Sequence, residues 1–225
     1  MKISVIIPVL REEAVINRTI DRIRAMDRAV EIVVVDGDPQ GKTLGAVTRD
    51  HALLVASEAG RGRQMNEGAR EAGGDVLVFL HADTELPANA FPTISSAMMD
   101  GRFVGGAFDL AIDGQGVLFR LIEKVASLRS RLTRIPYGDQ AVFLQRDYFM
   151  RIGGYRDIPL MEDVDLMRRI KAAGGRICMI RKKVRTSARR WEREGILRCT
   201  LRNWTIVILY LLGVPPKRLV KWYPS

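Results

Sequence analysis

Apolar residues in this chain follow two rhythms. Continuous runs occur at Ile3–Val9, Ile32–Val35 and Val76–Leu80, rich in Val and Ile and each closed by polar residues. Unbroken runs of this length mark strands buried on both faces of a parallel sheet. Between them the spacing changes to that of a helix. Val15, Ile16, Ile20, Ile23 and Met26 share one helical face, and so do Met65, Ala69 and Ala72. A short strand is expected at Leu53–Val55. Strand and helix therefore alternate over the first hundred residues, which predicts a right-handed parallel α/β half.

The pattern changes after Phe103. A strand is expected over Phe103–Leu110, with a Gly105-Gly106 bend that allows close backbone approach. Val117 to Leu132 has helical spacing through Leu118, Leu121, Ile122, Val125 and Leu128. A loop at Pro136–Gln140 leads into a short strand at Ala141–Leu144. After a turn at Gly153-Gly154-Tyr155, a helix opens at Met161–Leu166, continues to Ala173 and stops at Gly174-Gly175. No linker rich in Pro, Gly or Ser separates the halves, so one shared sheet is expected.

Chemistry gathers where the strands stop. Asp36 ends the second strand, and His81 and Asp83 follow the run at Val76–Leu80. Ligands of open α/β sheets bind outside these carboxyl ends. The glycine fingerprint of dinucleotide folds is absent after the first strand, where the chain reads Pro8-Val9-Leu10-Arg11-Glu12. Gly41-Lys42-Thr43 is no phosphate loop either, because Asp36 stands where that motif needs its first glycine. A ligand here meets carboxylates, which favours a diphosphate bridged by a hard cation. Glu162, Asp163 and Asp165 crowd a first helical turn. One acid there would only complement the helix dipole; three suggest a site.

These stretches together resemble glycosyltransferase family 2. The resemblance rests on Ser4-Val5-Ile6-Ile7-Pro8, Glu31–Asp36, Leu80–Asp83 and Met161-Glu162-Asp163, reinforced by Asn66-x-Gly68 and Gly153-Gly154-Tyr155. It covers about residues 3–190 and is of the short, single-domain bacterial type. It implies a GT-A fold, in which a Rossmann-like nucleotide-binding half (1–100) is fused to an acceptor half (101–190) through one mainly parallel mixed sheet. C-terminal helices follow at 191–225. The implied activity is that of an inverting, hexosyltransferase-type enzyme with a nucleotide-diphosphate sugar as donor and Mn2+ or Mg2+ as cofactor. The resemblance implies Asp163 as general base beside Glu162, and Asp83 as metal ligand. His81 stands where the family has the first acid of Asp-x-Asp, with Ala82 between. Pro8, Leu10, Glu12 and Asp36 would hold the donor's base. Arg61 and Arg63 are candidates for its phosphates. Asp139 would shape the acceptor pocket, and Arg190-Trp191 echo a polymer-binding signature whose Gln is replaced by Ser187.

Composition adds to this picture. The 225 residues are 47% hydrophobic, enough for a sizeable core. Cys178 and Cys199 have neither metal-binding nor disulfide spacing, so a reducing, cytoplasmic setting is expected. The apolar start at Ile3–Leu10 runs straight into Arg11-Glu12-Glu13, so a leader is not expected. The net charge of +10 is concentrated late: residues 166–225 hold 16 Lys and Arg against Glu192 and Glu194, or +14. Few stacking aromatics interleave these charges, which argues against nucleic acid. The apolar stretch 203–214 covers 12 residues, against about 20 for a bilayer crossing. Flanked by Arg, Lys, Trp and Tyr, it suits peripheral contact with the inner face of the cytoplasmic membrane. Core packing or a homodimer contact are the alternatives. The acceptor is then a lipid-linked or a small molecule. A nucleotidyltransferase, or a non-catalytic basic protein, are the competing readings.

Overall fold

The computed structural model describes residues 1–48 and 52–223. In chain order the first half comprises β1 (Ile3–Val9), α1 (Ile16–Met26), β2 (Glu31–Asp36), α2 (Lys42–Ala46), β3 (Ala52–Ala56), α3 (Arg61–Glu71), β4 (Val76–Phe79), β5 (Thr84–Glu85) and α4 (Ala90–Met99). The second comprises β6 (Gly105–Asp113), α5 (Val117–Thr133), β7 (Phe143–Gln145), α6 (Arg146–Arg151), α7 (Glu162–Ala172), β8 (Ile177–Ser187), α8 (Arg189–Glu194), α9 (Ile196–Leu211) and α10 (Pro216–Leu219).

All eight strands join one sheet in the order β3-β2-β1-β4-β7-β6-β8-β5. β1, β2, β3 and β4 are parallel. β7 runs antiparallel between β4 and β6, and β8 is parallel to β6. The continuous apolar runs follow from this arrangement. Along β1, Val5, Ile7 and Val9 enter the core under α1 and α4, while Ile6 enters the core under α3 and α7. A strand covered on both faces has no solvent side to leave polar.

The two family glycine motifs have packing causes. A methyl at Gly68 would lie 2.5 Å from Ile6 Cγ2 and 2.9 Å from Val35 Cγ2, so α3 sits on β1 and β2 at glycine distance. The Asn66 amide accepts from the Tyr155 N–H at 2.9 Å and donates to the Tyr155 carbonyl at 2.8 Å. Gly154, at φ +61, leaves room for that amide. These contacts fasten the loop before α7 to the nucleotide half.

Some sequence expectations shift. The short strand at 141–144 is Phe143–Gln145, because Ala141, at φ +46, still belongs to the preceding turn. The long strand β8 carries four Lys or Arg residues, which hide its strand rhythm. The largest departure is α5. Its buried positions are Phe119, Glu123, Ser127 and Ser130. The Leu stripe that announced the helix faces outward at Leu118, Leu121, Leu128 and Leu132. The Glu123 carboxylate explains the inversion: it accepts from the Ile112 N–H at 2.9 Å and pairs with Lys183 at 3.1 Å. Ser127 Oγ accepts from the Leu110 N–H at 3.1 Å. The sheet edge uses polar side chains here. The C-terminal apolar stretch lies largely within α9, of which only Cys199 and Ile206 are buried, so core packing does not account for it. Among the described residues, no helix is long and apolar enough to cross a membrane.

Candidate active site

Parallel strands end along one edge, and the loops after β1, β2 and β4 gather there. Asp36, at the end of β2, is fully buried and organises the loop that follows. Its Oδ1 accepts from the Asp38 N–H at 2.9 Å, and its Oδ2 from the N–H groups of Thr43 and Leu44 at 3.2 and 3.3 Å. Gln64 binds two strand ends together by donating to the carbonyls of Val9 and Val35 at 2.7 and 2.8 Å. Sequence reasoning passed over Gln64 and Asp38. Asp38 is buried, and its Oδ2 has no hydrogen-bond partner among the described residues. Pro8 lies within β1, and Leu10, just past its end, is half exposed.

The loop after β4 is a tight turn in which the Thr84 N–H donates to the His81 carbonyl at 3.0 Å. Thr19 on α1 holds it from below, donating to the Ala82 carbonyl at 2.5 Å. The turn presents two different groups. Asp83 reaches toward solvent and pairs with Arg189 Nη2 at 3.1 Å. The same nitrogen lies 3.4 Å from Glu12 Oε2. Two carboxylates therefore converge on one cation. Burial is the largest influence on Glu12 and raises its pKa; Arg189 opposes that effect, and Asp83 adds to it.

His81 turns inward instead. Its Nε2 is buried and has no hydrogen-bond partner among the described residues. Burial, with the fields of Arg61 and Arg190, drives its pKa well below the usual value, so the imidazole is neutral. It faces the turn at Gly138–Gln140. A methyl at Gly138 would lie 3.2 Å from His81 Nε2 and 3.6 Å from Asp163 Oδ2. His81 and Asp163 thus meet over a bare backbone.

Asp163 stands in the first turn of α7. Its Oδ2 accepts from the Gly138 N–H at 2.7 Å, and its Oδ1 from the Val164 N–H at 2.7 Å. Gln140 fixes the opposing turn, accepting from Ser130 at 2.6 Å and donating to the Phe108 carbonyl at 2.8 Å. Asp139 lies beside Asp163, and burial followed by the Asp163 charge pushes its pKa up to about 6. Glu162 is buried 3.7 Å from Arg61, and burial raises its pKa as well. Asp165 is bound away from the site by Arg156 and Arg169.

The remaining predicted residues divide. Arg63 pairs with Glu58 and Asp157. Arg190 stacks on Tyr223 at 4.7 Å. Trp191 packs edge-on against Phe119 at 6.3 Å and lines an open cleft of about 930 Å3 with Arg120, Arg185, Glu192 and Ile196. That cleft reaches neither Asp83 nor Asp163.

A profile of the family described as Glycosyl transferase family 2 matches residues 4–156, two-thirds of the chain. This chain belongs to glycosyltransferase family 2. Its residues also align with an undecaprenyl-phosphate 4-deoxy-4-formamido-L-arabinose transferase from Yersinia pestis, at 28% identity over 131 residues. The alignment takes in 53% of this chain and 39% of that protein. Among solved structures, the mannosyltransferase PcManGT from Pyrobaculum calidifontis, in complex with GDP-Man and Mn2+, superposes with a TM-score of 0.66 at 23% identity. It is matched over 56% of its length, and over 82% of this chain. Staphylococcus aureus TarS 1–349 in complex with UDP-GlcNAc gives 0.63 at 19% identity, over 83% of this chain and 58% of TarS. The family 2 chain described here thus has the GT-A fold of a glycosyltransferase.

The cation that the fold family implies can be tested against the side chains. No cluster of three or more His, Cys, Asp or Glu forms among the described residues. Mg2+-type sites use one or two carboxylates and take their other oxygens from water and substrate phosphates. Asp83 and Glu12 already share a single cationic partner, so this chain's donor set fits.

Proposed function

We propose that this family 2 enzyme moves a sugar from a nucleotide-diphosphate donor to a lipid-linked acceptor, inverting the anomeric carbon. The observation that carries the reading is the meeting of His81 and Asp163 over Gly138. It puts a carboxylate, fixed by a backbone N–H, at the end of the strand whose next turn residue is Asp83. In this reading residues 1–100 hold the donor and 101–190 the acceptor. Asp163 takes the proton of the attacking acceptor oxygen as the bond to the anomeric carbon forms on the face opposite the leaving diphosphate. Asp83, with Glu12, would hold the divalent cation, which would supply positive charge against the departing diphosphate. Arg61 and Arg190 add positive field beside a neutral His81, where an acid would have cancelled it. Asp36 and Asp38 shape the pocket for the base.

The acceptor assignment draws on the outer surface. Of the 18 large apolar residues exposed among the described residues, 12 lie on α5, α9 and the segment after α9. Patches of this kind mark interaction sites. α5, α9 and α10 carry basic residues at Arg120, Lys124, Arg129, Arg131, Arg198, Arg202, Lys217 and Arg218. Their one acid, Glu123, is buried. A second copy of so basic a face would be repelled, whereas anionic lipid headgroups are attracted by about 1 kcal/mol per Lys or Arg. The inner face of the cytoplasmic membrane supplies such headgroups.

The test is product analysis with a panel of nucleotide sugars and a polyprenyl-linked sugar acceptor bearing free hydroxyls, in mixed micelles. Release of nucleoside diphosphate with a glycolipid product is expected. Release of inorganic pyrophosphate would identify a nucleotidyltransferase and overturn the reading.

A further inference from the structure

We infer that Arg189 is the built-in counter-cation of the donor site, which a divalent cation must displace from Asp83 and Glu12. The inference rests on the reading above, that Asp83 takes the cation. It concerns a residue that no family motif assigns.

The placement is set by strand pairing. β5 is only Thr84–Glu85, and it pairs antiparallel with β8, Thr84 opposite Thr186. Asp83 immediately precedes that pair, and Arg189 follows it by three residues. The Arg189 N–H donates to Ser187 Oγ at 3.2 Å, which turns the chain into α8. The guanidinium therefore comes back over the β4–β5 turn. There Nη2 lies 3.1 Å from Asp83 Oδ2 and 3.4 Å from Glu12 Oε2.

Glu12 and Asp83 repel one another, and with Arg189 present they share one positive charge. A divalent cation at the same carboxylates would meet the guanidinium at close range, so the two cations exclude each other. The side chain is 55% exposed, and the hydrogen bonds of its guanidinium among the described residues go to these two acids, so displacement costs little packing. Arg189 is one residue from Arg190, whose field reaches His81. Once released, its guanidinium would be free to bind the phosphates of a donor held at that cation, which guanidinium groups take in fork geometry. Arg189 is thus a positioning residue: it keeps the two acids together without donor, then exchanges carboxylate for phosphate.

The experiment is Mn2+ binding to the full chain without nucleotide, read by the electron paramagnetic resonance signal of free Mn2+. Wild type, Arg189→Gln, Arg189→Lys, Asp83→Asn and the double variant Arg189→Gln/Asp83→Asn are compared. Arg189→Gln is expected to bind Mn2+ about tenfold tighter than wild type, as one opposing charge beside a divalent ion is removed. Arg189→Lys, which keeps the charge, should stay within about threefold of wild type. Nucleoside diphosphate binding in saturating Mn2+ should weaken in Arg189→Gln, a change that looser packing alone would not pair with tighter metal binding. If Asp83→Asn abolishes Mn2+ binding while Arg189→Gln leaves it unchanged or weaker, Arg189 is not the competitor and this inference alone fails. If Asp83→Asn leaves Mn2+ binding intact in both backgrounds, the cation reading of Asp83 fails and takes the inference with it.

Discussion

Replacing Asp163 by Asn separates the chemistry of this carboxylate from its structural work. The isosteric amide keeps one oxygen, which can still accept from the Gly138 N–H now bonded at 2.7 Å. Its amino group cannot accept from the Val164 N–H, so one local bond is lost. That loss costs about 1 kcal/mol, and loss of a negative charge from a first helical turn costs about 0.3–1 kcal/mol more. Relief of like-charge repulsion opposes both, because Asp163 raises the pKa of Asp139 and of Glu162. The net change in stability should thus stay near 1 kcal/mol, or roughly 2–4 °C in Tm for a chain of this size. The rate should suffer far more. A general base contributes on the order of 10²–10⁴-fold, or about 3–5 kcal/mol of barrier. The assay is nucleoside diphosphate release at saturating donor and acceptor, with donor affinity measured separately by calorimetry. We expect kcat to fall by that factor with donor affinity nearly unchanged. Carbon-13 carboxyl titration should show Asp139 titrating lower in this variant than in wild type, because the Asp163 charge that helps push it up is gone. Unchanged kcat in Asp163→Asn, together with loss of turnover in Asp139→Asn, would refute the assignment and transfer the base role to Asp139.

Further outcomes are expected elsewhere. Donor nucleoside diphosphate should bind with a divalent cation and only weakly in chelator or in Asp83→Ala; equal calorimetric affinities would contradict the cation assignment. Asp139→Asn should change the pH profile of stability. A carboxyl whose pKa rises to about 6 on folding stabilises the protein below about pH 4 and loses that contribution as pH rises through 6. The variant should therefore gain up to about 3 kcal/mol at pH 7, visible in denaturant melts at pH 4 and 7. Gly68→Ala forces a methyl to 2.5 Å from Ile6 Cγ2 and should cost about 1–3 kcal/mol, seen as a lower Tm. Leu201→Glu with Ile208→Glu changes exposed positions of α9 and should abolish co-sedimentation with anionic vesicles at unchanged Tm; undiminished binding would leave the membrane reading without support.

Much of this architecture was legible because burial on both faces writes itself into the chain. Ile3–Val9, Ile32–Val35 and Val76–Phe79 are apolar runs whose ends mark the site edge. The acids were legible for the same reason, as polar residues placed directly after a run or inside a first helical turn. What escaped reading depends on partners distant in sequence. β8 is basic along much of its length and is recognisable only beside β6. Gln64 and Gln140 appear as ordinary polar residues until the carbonyls they serve are in view. The pairing of Asp83 with Arg189 spans 106 residues and depends on a two-residue strand. α5 shows the limit most clearly: its Leu spacing gave the helix correctly and said nothing of which face turns inward.

That helix also bears on how the protein can be handled. Because Glu123 and Ser127 bond α5 to β6, Ser130 bonds it to Gln140, and Phe119 is buried with Leu110 and Ile112, its outward leucines are not needed to keep it there. Leu118, Leu121, Leu128 and Leu132 can be exchanged for Lys, Gln or Glu without opening a void. Surface apolarity can therefore be edited on this helix while the side chains of the candidate site are left untouched. A variant changed only at these four positions should stay monodisperse at higher concentration than the parent chain and still turn over a water-soluble, short-chain acceptor.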